Sequence, residues 1–175
     1  MAAPTPMSIT TAAGFKEFVI FTFKVVLLHS LTYMVFGVLA ANLFHYDRIW
    51  QLPLMNELYR PMDSTWVLAG PMLQPLRGLL YAVGLWIFRP YLHQIRHGWL
   101  AIWAVFVLFA ILGTPAASPG SMEGVIYTRL PMFVHLVGIP EIYGQTLAFS
   151  ILLYTWDRGR YLGVETRGGR LLGDA

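Results

Sequence analysis

The chain of 175 residues contains no cysteine, and only 12% of its residues are Asp, Glu, Lys or Arg. Without cysteine there is no disulfide, thiolate metal site, iron–sulfur cluster or cysteine nucleophile. A typical globular protein carries about 25% charged residues, and half that share cannot cover a surface in water. The G-x-S-x-G, H-E-x-x-H, P-loop and G-x-G-x-x-G patterns are also missing, which removes the usual support for a hydrolase, a zinc protease or a nucleotide enzyme. Asp47, Glu57, Asp63 and Glu123 are too dispersed for a carboxylate dyad or a calcium loop.

Apolar residues make up 57% of the chain, and its mean hydropathy is +0.58. At about 20 residues per crossing, the length accommodates four spans and no large extramembrane domain. The expectation is an all-α integral membrane protein, a four-transmembrane-helix bundle forming one domain. The spans fall at about 18–44, 65–88, 98–114 and 130–156, and a polar cytoplasmic tail covers 157–175. The first stretch is too long for the apolar region of a signal peptide, and no A-x-A site closes it. The second contains Pro71 and Pro75 and should kink in its first half, because Pro75 cannot donate to the carbonyl of Pro71. The third has no ionisable residue and reads as plain wall. The segment from His45 to Ser64 mixes aromatics, leucines and charges, and fits an interfacial helix between spans one and two. Thr114 to Gly124 is rich in Pro, Gly, Ser and Ala and reads as a loop. The Gly-rich stretch Glu165 to Ala175 has little reason to fold.

The net charge of +3 comes from basic residues scattered at predicted helix ends. That distribution reflects topology and gives no reason to expect nucleic acid. With four crossings, one side holds Lys16, Arg89, Arg96, Arg158, Arg160, Arg167 and Arg170, and the other holds Arg48, Arg60 and Arg129. The positive-inside rule then places both termini in the cytoplasm. Trp50, Trp66, Trp86, Trp99 and Trp156 fall near predicted span ends, where aromatic belts sit.

The polar residues inside the spans are the candidate site. Arg77 and Glu141 lie roughly 18 and 16 Å from the outer ends of spans two and four at 1.5 Å per residue, and His29 on span one lies within a turn of that level. An unpaired mid-membrane charge costs at least about 2.5–3.5 kcal/mol. Glu141 is the one carboxylate inside these spans, so an Arg77–Glu141 ion pair is expected. Gln74 and Gln145 share faces with these charges at i−3 and i+4, and together the five residues form a polar layer. Two roles stay open for it. It can fix helix register, or it can take up a proton, a cation, a lipid headgroup, a quinone or a substrate. Pro140, just before Glu141, would expose backbone carbonyls there, as in broken transporter helices.

His29 and His135 are the weak candidates for a cofactor, since membrane haems use paired histidines. His135 lies only roughly 8 Å in, however, well above His29. Lys24 is close enough to the cytoplasmic end to snorkel. His93, Arg96 and His97 read as a basic rim facing anionic lipid, and His93 and His97 lack a third residue to complete a metal site. Gly37 and Ala41 form a small-xxx-small pair suited to close helix approach.

The leading expectation is a non-catalytic accessory or scaffolding subunit of a membrane complex, or a binder of a lipid-like ligand. Its partners would be the bilayer and either other membrane subunits or further copies of itself. No cofactor is required by the sequence. The alternatives are an oligomeric proton-coupled transporter or channel working through Glu141, and a membrane redox or lipid-modifying enzyme.

Overall fold

The computed structural model describes residues 12–173, with side chains described through residue 159. Within these bounds the protein is all-helical, without strands. Helix α1 runs Ala12–Leu43, 32 residues with no proline to interrupt them. The short helices α2 (Tyr46–Trp50), α3 (Pro53–Leu58) and α4 (Thr65–Leu68) follow, then a 3-10 turn at Gly70–Leu73 and helix α5 at Gln74–Gln94. Helix α6 (Gly98–Val105) continues as a π-helical stretch at Phe106–Leu112. Helices α7 (Met122–Tyr127), α8 (Met132–Val137) and α9 (Ile139–Gly173) complete the chain.

Two segments are long and apolar enough to cross a membrane by length and composition, Ala12–Leu43 and Met132–Gly159. Gly98–Leu112 is apolar but shorter.

Local chemistry sets the breaks. His45 adopts a left-handed conformation with φ 52° and turns the chain out of α1. Pro53 opens α3 after an extended Leu52, a position where its missing N–H costs nothing. The expected single interfacial helix is therefore two short helices. Pro71 sits at the start of the 3-10 turn and Pro75 in the first turn of α5, so the second apolar stretch is interrupted in its first half, where the prolines cannot donate. It also extends past Phe88 to Gln94. The fourth apolar stretch is broken at Gly138, and Pro140 and Glu141 occupy the first turn of α9, where a carboxylate meets the positive end of the helix dipole. The stretch from Glu165, expected to lack structure, is helical as far as Gly173; the side chains of Arg160, Arg167 and Arg170 lie outside those described.

Helix α1 is the centre of the assembly, packing against both α5 and α9, which run opposite to it. Two glycines allow the close approach. A Cβ on Gly78 would lie 2.9 Å from the Val26 Cα, and one on Gly144 would lie 2.6 Å from the Phe36 ring. Helix α6 packs against α9 and, less extensively, against α5. The buried core joins Phe21, Val25 and Leu28 of α1 to Ala82, Leu85 and Trp86 of α5, and to Phe149 and Leu153 of α9. A smaller cluster of Met55, Leu130 and Val134 ties α3 to α8. In the turn between α5 and α6, the Tyr154 hydroxyl donates to the carbonyls of Ile95 and Arg96 at 2.9 and 3.2 Å, satisfying acceptors that the turn leaves open.

Candidate functional site

Two polar centres lie on α1, α5 and α9. The first is a cavity of about 870 Å³. His29, Tyr33 and Gly37 of α1, Arg77 and Tyr81 of α5, and Glu141, Gln145 and Phe149 of α9 line it, with Trp50 and Met55 closing it from the connecting helices. Phe106, Ala110 and Ile111 reach it from the π-helical stretch, a local widening often associated with functional sites. Its floor is aromatic. The His29 ring meets Tyr81 and Phe149 edge-on at 4.8 and 6.0 Å, and Phe106 packs against both at 4.8 and 5.7 Å.

The structure places His29, Arg77, Glu141 and Gln145 on the walls of this one cavity. Gln74 stands behind it, its Oε1 3.2 Å from the Nε2 of buried His29, and its amide nitrogen donates to the Gly70 carbonyl at 3.1 Å. The expected Arg77–Glu141 ion pair is not formed. Glu141 instead accepts a hydrogen bond from the Tyr46 hydroxyl at 2.5 Å, and Arg77 makes no ion pair with a described residue. The reason is tertiary. The turn at His45 brings the first residue of α2 back over the cavity, where its phenol reaches the carboxylate before the guanidinium does. Burial, and then the carboxylate beside it, push the Tyr46 phenol above its ordinary range. Gly37 and Ala41 face the cavity, and a Cβ on Gly37 would lie in ordinary contact with Glu141 Oε1 at 3.7 Å. His135 is buried on α8, away from the cavity wall, and its Nδ1 accepts from the Gly120 N–H at 3.3 Å. It therefore does not share the cavity with His29.

The second centre was missed by sequence reasoning. Asp157, assigned to the polar tail, is 1% exposed. Its Oδ1 accepts from Lys24 Nζ at 2.9 Å and Arg89 Nη2 at 3.0 Å, and its Oδ2 meets Arg89 Nε at 2.5 Å and His93 Nε2 at 2.9 Å. Glu17 adds a longer contact to Arg89 Nη2 at 3.7 Å. The Arg89 guanidinium also lies 5.1 Å from the centroids of both Phe21 and Trp86, an arrangement that favours a planar cation. His93 stacks on Tyr154 at 5.7 Å. Lys24 thus points inward to Asp157 instead of snorkelling, and His93 belongs to the interior instead of the basic rim. A signal was available. Arg89 and Asp157 each fall one residue past the same end of predicted spans two and four, but a span boundary at Trp156 put the carboxylate in the tail. Among the described residues, no group of three or more His, Asp or Glu is arranged to hold a metal ion.

Compared with protein-family models, curated proteins and solved structures, the chain matches none.

Proposed function

We propose that this is a multi-pass membrane protein that holds a lipid-like amphiphile, without catalysis, in the cavity between α1, α5 and α9. The observation that carries the reading is the cavity itself. Its size falls within the range of about 300–1,000 Å³ typical of ligand sites, and its mostly apolar walls bear a few polar groups, the usual composition of such sites. The membrane part of the reading draws support from the outward faces of the helices. Phe23, Leu39 and Leu43 of α1 and Leu80 and Ile87 of α5 are each at least 60% exposed, an apolar surface that water disfavours and acyl chains accept. In this reading the interrupted second segment and the shorter third segment cross with the two long ones. Four crossings and the Lys and Arg tally then put both termini in the cytoplasm. The cavity faces the outer side and the Asp157 centre the inner.

Because the native chain has no cysteine, single cysteines report topology cleanly. A membrane-impermeant maleimide should label Asp63→Cys and Ala117→Cys in intact cells, and His97→Cys only after permeabilisation. Labelling of all three from one side would overturn the topology. For the ligand, mass spectrometry of amphiphiles extracted from the protein purified in mild detergent should find a species that is lost when Gly37→Leu and Ala41→Leu fill the cavity. Recovery of the same amphiphiles from the filled variant would overturn the binding reading.

A further inference from the structure

We propose that the amphiphile carries an anionic head group, a carboxylate or a phosphate, and that the Arg77 guanidinium binds it. The inference rests on the cavity reading above and specifies its ligand.

The argument is an accounting of charge. An interior charge is tolerated when it is paired or held by hydrogen bonds, and the other interior charges among the described residues satisfy that condition. Lys24 and Arg89 share Asp157, Glu17 reaches Arg89, and Glu141 Oε2 accepts from Tyr46. Arg77 is the exception. It is exposed and lines the cavity, and it forms no hydrogen bond or ion pair with any described residue. It lines the same cavity as His29 and Tyr81 of the aromatic floor. An arginine cannot shed its proton to escape the cost of isolation, and no described residue supplies its partner, a place that a bound anion would fill.

The surroundings fit that partner. A guanidinium presents paired donors in a plane that match the oxygens of a carboxylate or phosphate. The Tyr33 hydroxyl and the Gln145 amide lie on the same walls, also without a hydrogen bond to a described residue, and supply neutral donors for the remaining oxygens. A cationic head group would meet repulsion from Arg77, an uncharged one would leave the guanidinium unpaired, and the Glu141 carboxylate on the same wall is already held by the Tyr46 phenol. Trp50, Met55 and Val134 offer apolar wall to a chain.

The test uses dibrominated stearic acid and its methyl ester as probes, added to the full-length protein in mild detergent at alkaline pH. Bromine quenches tryptophan on contact, and Trp50 lines the cavity. The acid is expected to quench saturably, with an apparent affinity about tenfold or more above that of the ester. Arg77→Gln should bring the acid down to the ester's affinity, and Trp50→Phe should remove the saturable component. If acid and ester bind equally and Arg77→Gln changes neither, the head-group inference is overturned while the cavity reading stands. If neither probe gives a saturable, Trp50-dependent signal, both fall. The comparison of acid with ester needs no variant, so a folding defect in Arg77→Gln leaves the test decisive.

Discussion

Replacing Asp157 with asparagine should unfold a large part of the protein's stability margin. The carboxylate holds Lys24 Nζ, two nitrogens of Arg89 and His93 Nε2 within 3.0 Å, and Lys24 and Arg89 are 4% and 2% exposed. Asparagine keeps the shape but offers one neutral acceptor, and its amide nitrogen faces donors. Arg89 keeps Glu17 at 3.7 Å, while Lys24 loses the carboxylate it donates to. Removing one partner of a buried ion pair typically costs about 3–5 kcal/mol, and here one carboxylate serves two cations, so the upper part of that range is expected. The assay is unfolding by SDS titration in mixed micelles, followed by tryptophan fluorescence. Lys24→Met alone should cost less, because Arg89 still neutralises Asp157. Lys24→Met introduced into the Asp157→Asn background should recover part of the loss, because it removes a cation left without a partner; the double-mutant cycle isolates that coupling. If Asp157→Asn fell within about 0.5 kcal/mol of the native chain, the range of ordinary surface substitutions, the centre would not be a buried ion network and the reasoning would fail.

Gly78→Leu should cost about 1–3 kcal/mol in the same assay, because its Cβ would press on the Val26 backbone at 2.9 Å. Gly84→Ala on the same helix has nothing within 4 Å of the added carbon and should instead stabilise by up to about 1 kcal/mol; equal effects at the two sites would refute the close α1–α5 crossing. Tyr46→Phe should lose about 1.5–3 kcal/mol, the range for a hydrogen bond to a charged group. The Tyr46 phenol is raised above its ordinary value of 10.0, so the unfolded phenol ionises first. Its contribution is complete below that pH and declines as pH rises past it. The native chain's advantage over Tyr46→Phe should therefore shrink in alkaline unfolding titrations, and a constant difference would count against the Tyr46–Glu141 contact. Ser121→Ala should cost about 1 kcal/mol, since the buried Ser121 hydroxyl accepts from the Gly124 N–H at 2.9 Å and caps α7.

The residues differ in how far they could be read without the fold. Pro71, Pro75 and Pro140 act on the backbone within a turn of themselves, and the breaks near them were legible. His29, Arg77, Glu141 and Gln145 were legible as a group because depth along a straight helix is a count of residues. Which of them touch was not legible, because contact depends on the rotation of each helix about its axis. That rotation is decided by where α1 meets Gly78 and Gly144. The Tyr46 hydrogen bond needed the turn at His45 as well, and nothing in the local sequence says that α2 folds back over the cavity.

The amino-acid sequence by itself determined that the chain is helical and strongly apolar, where proline interrupts its second apolar stretch, and which of the cavity's polar residues share a level. These are properties of single segments, set by hydropathy, proline geometry and residue spacing. Only the tertiary structure decided the partners. Lys24 and Asp157 are 133 residues apart, and Tyr46 and Glu141 are 95 apart, so each pair forms only once α9 has docked on α1 and α2. The same docking leaves Arg77 facing a cavity instead of a carboxylate, because Glu141 is already engaged by a phenol from another part of the chain.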